Sequence, residues 1–406
     1  MHGITLIALV VTIVVLLILA GITISLVFSD NGIIKKAQEA ANKTKEAVIN
    51  EQTQMNEIAD YMENMLNEIG GTIPDEPEGC PAEEFEKWNG TSDEKVNAVQ
   101  STDTTPITVP VPKGYIASKV TGETTVEDGF VIYEGEEEVN DTNKDTAQTA
   151  RNQFVWVPVA NPSEMYGRDE NCKKWGKLYE FDEEGITPYN WTEQDGVMSI
   201  TSATSYREPD VVSSDSSNSV TLTQLETEFN NMIASIEKYG GFYIGRYETG
   251  NLKEAEAVVV KNNSDINNQT WYTMYNKSKG VAANSNVTTS MIWGCQWDAV
   301  MRWMYNSGDA EKKTYTYDST GKGNYSGTNG NAPIATGSNP SYAVNNIYDM
   351  AGNAYDWTIE ADYTGSRVFR GGGYGDDASS FPASHRNCYG PAYSGSNSGS
   401  RAALYM

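Results

Sequence analysis

The chain has 406 residues, a formal net charge of -26 and two histidines, His2 and His385. This charge argues against nucleic acid as a partner, because phosphate groups bind to basic surfaces. Two histidines are too few for a histidine-rich metal centre and leave almost no material for a Ser-His-Asp triad. Composition therefore leans away from catalysis, while the length allows a large buried core in one domain or two.

An uncharged run of 25 residues, 4–28, follows the first three residues of the chain. As a helix this run is about 37 Å long, which is enough to cross a bilayer. The basic region and the cleavage site of an ordinary secretory signal are missing. We therefore expect a membrane-spanning helix that is retained in the mature protein, with the bulk of the chain outside the cell.

The residues Gly3-Ile4-Thr5-Leu6-Ile7, followed by this apolar run, resemble the class III signal of type IV pilins and pseudopilins. The resemblance implies cleavage between Gly3 and Ile4, so that residues 1–3 form a leader. It also implies a helix that first anchors the subunit in the membrane and later packs in the core of a pilus. Ala8 departs from that family, which usually has a glutamate at this position. A plain single-pass signal anchor is the alternative.

A charged helix with an apolar stripe is predicted to follow. Apolar side chains recur every seven residues at Val48, Met55, Met62 and Ile69. Because this spacing keeps them on one helix face, residues 4–69 are predicted to form a pilin-like transmembrane and stalk helix. A free-standing coiled coil would show the same stripe. Two glycines then end the helix, and residues 70–105 are predicted to be an acidic linker.

From residue 106 the sequence changes to short β-rich runs separated by Gly, Asn, Ser and Asp turns. Residues 221–239 and 297–304 instead show the apolar spacing of helices. Three acidic or polar segments are interpreted as surface insertions or loops: 120–150, 189–218 and 312–346. The pattern predicts an α+β domain over residues 106–406.

Five motifs lie in order along this domain: FVWVP at 154–158, GFYIGRYE at 241–248, NIYDMAGNAYDW at 346–357, RVFRGGGY at 367–374 and SRAAL at 400–404. In this order they resemble the formylglycine-generating-enzyme, or sulfatase-modifying-factor, family. The resemblance covers roughly residues 106–406. It implies a C-type lectin-like fold of the α+β class, carried by the long N-terminal helix.

Most of these motif residues are predicted to be scaffold: glycines for tight turns (Gly352, Gly371, Gly372), tryptophans for apolar surface (Trp156, Trp357) and arginines that pair with buried carboxylates (Arg370, Arg401). The enzymatic members of the family oxidise a cysteine with a copper-binding cysteine pair. The matching positions, near Asp376 and Phe381, hold no cysteine. We therefore expect the scaffold without the enzymatic activity.

The alternative is a surface enzyme of the same type with a relocated active site. A redox-active pair of Cys295 and Cys388 would favour that alternative. The other two cysteines are Cys80 and Cys172, and all four follow the predicted membrane segment, where disulfides form. Four cysteines allow three pairings, and the sequence does not choose among them.

Some members of the family hold a calcium ion in the loop that matches residues 349–356. The resemblance implies that Asp349 and Asp356 supply side-chain oxygens there, and that Gly352 and Ala354 supply backbone carbonyls. Ligation by oxygen alone suits Ca²⁺. The alternative is that the two aspartates only cap or pair locally. No other cofactor is expected.

Asparagine is encoded by AAY, where Y is a pyrimidine. Substitution of the two adenines alone converts this codon into codons for almost every residue type found in residues 373–398. This composition resembles the variable region of proteins diversified by a diversity-generating retroelement, commonly found at the C-terminus of the same fold. A turn-rich loop would have a similar composition. On the first interpretation, nine outward-facing side chains form the ligand-binding face: Tyr374, Asp376, Asp377, Phe381, His385, Asn387, Tyr389, Tyr393 and Asn397. Aromatic and small polar residues of this kind also dominate antibody paratopes.

These expectations describe an adhesin or receptor-binding protein at the cell surface, anchored in the membrane or displayed on a pilus. Its partner would be an extracellular protein or glycan. Multiple copies on a filament would add avidity to a modest single-site affinity. A pilin with a purely structural head is a further alternative, and it predicts no ligand and an invariant C-terminal segment.

Overall fold

The computed structural model describes residues 80–81, 83, 85–168, 171–189, 191–193, 196–198, 220–282, 284–329, 331–361 and 366–406. The predicted leader, the processing residues Gly3 and Ile4, and the membrane and stalk helix all lie outside these residues. By its contacts the chain divides into two compact units, Met1–Pro74 and Asp75–Met406, and every described residue belongs to the second. Within the described ranges no helix has the length and apolarity needed to span a bilayer.

The second unit contains both helices and strands, which confirms the predicted α+β class. The strands are β1 Val96–Gln100, β2 Thr108–Pro112, β3 Tyr115–Ala117, β4 Val131–Glu134, β5 Gln153–Pro158, β6 Tyr166–Arg168, β7 Lys174–Gly176, β8 Tyr179–Phe181, β9 Ile186–Pro188, β10 Trp191–Glu193, β11 Gly196–Met198, β12 Gly241–Gly245, β13 Thr288–Met291, β14 Ala343–Val344, β15 Ile347–Tyr348, β16 Tyr355–Ala361, β17 Arg367–Arg370, β18 Arg386–Tyr389, β19 Ser398–Ser400 and β20 Ala402–Tyr405. The α-helices are α1 Lys144–Ala150, α2 Leu222–Tyr239, α3 Trp271–Lys279, α4 Gly294–Tyr305 and α5 Ala310–Tyr317.

An antiparallel six-stranded sheet forms the centre of the domain, in the order β13-β20-β12-β5-β4-β3. The two motif strands β5 and β12 pair directly, with Trp156 opposite Tyr243. The C-terminal strand β20 lies between β12 and β13. Residues distant in the sequence therefore meet in one sheet.

Both faces of this sheet are buried, which explains the nearly continuous apolar runs of its strands. On β5, Val155 and Val157 belong to one core, which also contains the apolar side of α2. Phe154 and Trp156 belong to the other core, which includes apolar residues of β1 and β2. Each fully buried side chain of this size contributes about 1.5–3 kcal/mol relative to exposure.

The two helices predicted from spacing are confirmed. Helix α2 starts with a capping box between Thr221 and Gln224 and ends at Gly240, whose φ is 76°. Helix α4 begins at Gly294, three residues before the predicted start. Helix α3 was not predicted, because its tyrosines, lysines and threonine give it little amphipathic contrast.

A second sheet, in the order β18-β17-β16-β19, carries the C-terminal motifs. Every residue of β16 and β17 is buried, whereas β18 is half-buried to exposed. Strand β19 pairs with β16 in parallel, and the other pairs are antiparallel. The outer edge of this sheet therefore belongs to the segment 373–398.

The interpretation of residues 312–346 as a surface loop is only partly correct, since exposed and buried positions alternate along the segment. Its start belongs to helix α5, and Tyr315, Ser319 and Asn324 are buried. Asn324 Nδ2 donates to the Asn353 side chain at 3.0 Å, so its polar group is satisfied inside the protein. A polar, turn-rich composition predicted exposure, but hydrogen bonds and tyrosine rings allow burial.

Residues 120–150 are only partly a surface insertion, since they include α1 and the buried strand β4. Within 189–218, β10 and β11 form a hairpin, and residues 199–219 are outside the description. Strand β1 lies within the predicted linker 70–105 and pairs with β2 along its whole length.

The sequence left the cysteine pairing open. In the structure a disulfide joins Cys80 to Cys172, whose Cα atoms are 5.4 Å apart.

Candidate binding site in the C-terminal segment

A buried ring of charges holds the C-terminal segment on the core. Arg370 on β17 bonds to Asp298 on α4 at 2.7 Å and to Glu360 on β16 at 3.4 Å. Arg386 on β18 contacts the same two carboxylates, with 3.0 Å between its Nε and Glu360 Oε1. Two positive and two negative groups balance, which makes their burial tolerable. The ring confirms the predicted role of Arg370 and ties β18 to three other elements.

The chain leaves β17 through two glycines in the left-handed region. Gly371 has φ 90°, and a Cβ there would lie 2.4 Å from the Met350 carbonyl oxygen. Gly372 has φ 73°, and its Cβ would lie 2.5 Å from the Phe381 carbonyl oxygen. Only glycine combines this φ with such close backbone contacts. The predicted turn role of both residues is confirmed, and the turn directs the following residues outward.

None of the nine predicted face residues is buried. Asp377 and Tyr389 are exposed, and the others are half-buried: Tyr374, Asp376, Phe381, His385, Asn387, Tyr393 and Asn397. Tyr389 and Ile107 are the large apolar side chains most exposed in the described part of the chain, each at 47%. The segment thus exposes side chains to solvent, while the buried charge ring and the glycine turn hold its backbone on the core.

Stacked aromatic rings run from the core to this surface. The buried Phe369 stacks on Tyr389 with ring centroids 5.6 Å apart, and Tyr389 stacks on Tyr393 at 4.5 Å. Tyr355 also packs against Phe369, with ring centroids 4.4 Å apart. Such stacking fixes ring orientation, so the exposed tyrosines are presented with little conformational freedom to lose on binding.

Short polar contacts hold the rest of the segment. The hydroxyls of Tyr374 and Ser396 are 3.0 Å apart, and Tyr393 donates to Asn397 Oδ1 at 3.0 Å. Asp377 Oδ1 accepts hydrogen bonds from the hydroxyls and backbone N–H groups of Ser379 and Ser380. These bonds, the Ser379 hydroxyl first, lower the pKa of the Asp377 carboxyl. The loop is therefore organised by its own side chains.

Asp376 is held from two sides. Its Oδ2 accepts from the Gly373 N–H at 2.9 Å, and its carboxylate interacts with the Tyr355 hydroxyl. Burial, followed by this carboxylate, raises the pKa of Tyr355. Sequence reasoning missed Tyr355 and Phe369 as supports of the face, because each sits in an apolar strand pattern typical of ordinary core residues.

His385 packs edge-on against Phe381, with ring centroids 4.5 Å apart. Burial, and then the charge of Arg370, lowers the pKa of His385 to about 4. The imidazole is therefore neutral at physiological pH. It supplies a flat, uncharged surface beside the buried charge ring.

The residues expected to bind calcium are buried together. Asp349 Oδ2 accepts from the Gly337 N–H at 2.7 Å, and Asp356 Oδ2 contacts Arg401 Nε at 3.0 Å. The Oδ1 atom of each aspartate has no hydrogen-bond partner among the described residues. Burial raises the pKa of both carboxyls, that of Asp356 to about 6. The contact of Arg401 confirms its predicted pairing with a buried carboxylate.

A third buried carboxylate, Glu248, adds to this negative charge. Its oxygens accept from Asn353 Nδ2 at 2.7 Å and from the Ala354 N–H at 3.2 Å. Burial, and then the charge of Asp349, raises the pKa of Glu248. In the described ranges no three His, Cys, Asp or Glu side chains are arranged to hold a metal. A cation here would depend on two aspartates and on backbone carbonyls such as those of Gly352 and Ala354.

The two remaining cysteines lie on different elements. Cys295 is buried at the start of α4, and Cys388 is half-buried on β18. The enzymatic alternative, with its redox-active pair of Cys295 and Cys388, stays a prediction.

No protein-family model and no curated protein matches the chain. Among solved structures, it is similar to variable protein 1 of Treponema denticola, with a TM-score of 0.30 and 15% identity over 42% of this chain and 89% of that one. It is also similar to PvdO from Pseudomonas aeruginosa, with a TM-score of 0.27 and 17% identity over 41% of this chain and 82% of PvdO. For CarF the TM-score is 0.27 and the identity 15%, over 41% of this chain and 87% of CarF.

Proposed function

We propose that this protein is an adhesin or receptor-binding protein of the cell surface or of a pilus, and that residues 373–398 of a C-type lectin-like domain bind its ligand. One observation carries the proposal: nine side chains of one segment all reach the surface while a buried charge ring and two constrained glycines hold their backbone. Preorganisation of this kind lowers the entropic cost of binding.

The chemistry of the segment supports recognition of an extracellular protein or a glycan. The stacked Tyr389 and Tyr393 provide rigid contact area, and the neighbouring hydroxyl and amide groups provide adaptable hydrogen bonds. The residue types of the segment are those that adenine-directed codon changes produce, so we propose that it is diversified among sister chains. The predicted N-terminal helix would carry the face away from the membrane, and a pilus would multiply it.

Two single variants test the face with a matched control. Full-length protein is applied to a printed glycan array and to a panel of purified extracellular proteins. We expect Tyr389→Ala and Tyr393→Ala to weaken binding at least about tenfold, since central aromatic contacts dominate interfaces. Ile107→Ala removes an equally exposed apolar side chain from elsewhere and should leave binding unchanged. Equal binding by all four proteins would place the site outside the segment, and absence of binding would favour the structural pilin head.

We also propose that Asp349 and Asp356 hold a structural Ca²⁺ together with the carbonyls of Gly352 and Ala354. The two unpartnered Oδ1 atoms and the surplus of buried carboxylates over Arg401 support this proposal. Saturating Ca²⁺ at a hundred times its Kd would stabilise the fold by about 2.7 kcal/mol. Thermal unfolding in CaCl₂, MgCl₂ and EDTA measures this effect, and Asp349→Asn should abolish it. Identical midpoints in all three conditions would exclude the ion.

A further inference from the structure

A cleft of about 440 Å³ lies between the hairpin β8-β9 and the C-terminal segment. Glu180, Phe181, Asp182 and Tyr189 line one side. The other side, within the segment proposed to vary, consists of Ser379, Ser380, Pro382, Ser384, His385 and Arg386. The volume falls in the range of about 300–1,000 Å³ that is usual for ligand clefts. One wall of the cleft is therefore independent of any diversification.

This wall is held rigidly against the segment. Arg386 Nη1 donates to the Tyr179 carbonyl at 2.7 Å, and the guanidinium lies 4.5 Å from the centre of the Tyr189 ring. Asp298 Oδ2 accepts from the Tyr179 N–H at 2.8 Å. At the hairpin tip, Tyr305 donates to the Asp182 carbonyl at 3.0 Å. Both walls thus depend on the same buried charge ring.

The cleft carries an excess of negative charge. Arg386, its cationic residue, is already neutralised by Asp298 and Glu360. Glu180 and Asp182 are exposed on the rim, and two further glutamates, 183 and 184, follow at the hairpin tip. Near these four carboxylates, the Lys313 ammonium donates to the Glu183 carbonyl at 3.1 Å, and the Arg302 guanidinium lies 4.6 Å from the centre of the Tyr179 ring.

We propose that this cleft binds a lysine or arginine side chain of a protein ligand, so that the hairpin forms the constant half of a composite site. The inference rests on the proposed function and specifies the chemistry of its ligand. The rim carboxylates attract the cationic group. The Tyr189 ring already stacks with the Arg386 guanidinium, so it offers apolar surface to the alkyl stem alone. An anionic glycan would meet repulsion from the same carboxylates.

The probes are the acetylated, amidated tripeptides Gly-Arg-Gly, Gly-Lys-Gly, Gly-Gln-Gly and Gly-Glu-Gly, titrated into the full chain by saturation-transfer NMR. We expect the Arg and Lys peptides to bind at least about tenfold more tightly than the Gln peptide, with loss of this preference at high salt. The double variant Glu180→Gln/Asp182→Asn should weaken them about threefold to tenfold, the sum of two partly exposed charge contacts. The amide oxygen introduced by Asp182→Asn can still accept from the two N–H groups that bond to Asp182 Oδ1, at 2.8 and 2.7 Å.

The control is Glu136→Gln/Glu137→Gln, which removes the same charge from two exposed residues outside the cleft and should change nothing. Equal affinity for the Arg and Gln peptides would overturn the proposal. It would also be overturned if a neutral oligosaccharide displaced the Arg peptide more effectively than the Lys peptide does. If the peptides show no preference for Arg or Lys while Tyr389→Ala still weakens binding to the array, the proposed function stands without this subsite. If only the cleft variants act, the cleft is a site independent of the aromatic face.

Discussion

Arg370 and Asp298 are 72 positions apart in the chain, yet their side chains form a fully buried ion pair with 2.7 Å between Nη2 and Oδ1. The pair joins the second sheet to helix α4. Because Asp298 also contacts Arg386, this one carboxylate connects the core to the base of the candidate face. The stability of the fold and the presentation of the face therefore depend on the same residue.

We predict that Asp298→Ala lowers the free energy of unfolding by about 3–5 kcal/mol, because it leaves two guanidinium groups buried with one carboxylate. Urea denaturation followed by tryptophan fluorescence measures the change. Glu311→Ala serves as the control, since it breaks the exposed Lys322–Glu311 pair, whose atoms are 3.4 Å apart. That loss should be below about 1 kcal/mol. Similar losses in both variants would contradict the importance of the buried ring.

Gly371→Ala should be among the most damaging single-methyl changes in the domain. Its Cβ would meet the Met350 carbonyl oxygen at 2.4 Å, in addition to the strain of φ 90°. Gly321→Ala has a similar φ of 78° but nothing within 4 Å, so it isolates the conformational cost of about 1–2 kcal/mol. The same denaturation experiment compares the two variants. If their unfolding free energies agree, the close backbone contact has no energetic weight.

The lowered pKa of His385 predicts a loss of stability in acid. Well above pH 6.5, the ordinary pKa of histidine, the imidazole is neutral in both the folded and the unfolded state and contributes no pH dependence. Between pH 6.5 and about 4 the unfolded state binds a proton that the folded state does not, so the free energy of unfolding falls with falling pH. Other buried groups titrate in this range, so the measurement is the difference between wild type and His385→Gln. The variant should lose less stability between pH 7 and pH 4, and NMR titration of His385 should show a midpoint near 4.

Sequence variation within residues 373–398 is expected to spare the positions that hold the backbone. Arg386 belongs to the buried charge ring, and Ala383 is fully buried, with its carbonyl accepting from Trp297 Nε1 at 2.9 Å. Deep sequencing of the 3′ end of the gene across one cultured population measures the variation directly. Substitutions should concentrate at half-buried and exposed positions such as Tyr389 and Tyr393. If changes at Arg386 are as frequent as those at Tyr389, the positions that hold the backbone are not spared and the prediction is wrong.

The sequence predicted several features of the candidate site. The glycine-rich turn after β17, the pairing of Arg370 and Arg401 with carboxylates, and the surface position of 373–398 were all expected from the motifs. Their partners were not. Nothing near Arg370 in the sequence designates Asp298 or Glu360, and nothing marks Glu180 or Asp182 as neighbours of Ser379. Likewise, composition indicated a surface loop at 312–346, whereas Tyr315, Ser319 and Asn324 within it are buried and Asn324 is hydrogen-bonded.

The sequence by itself indicated the α+β class, the two helices with clear apolar spacing, the positions that require glycine and the residue types near the C-terminus. These properties depend on periodicity and backbone sterics, which act over a few neighbouring residues. Only the tertiary structure decided which charges meet in the buried ring, that both faces of the main sheet are covered, and that an acidic hairpin forms one wall of the cleft. The contact between Arg386 and Tyr179 spans 207 positions, and packing of distant elements, rather than any local preference, brings the two together.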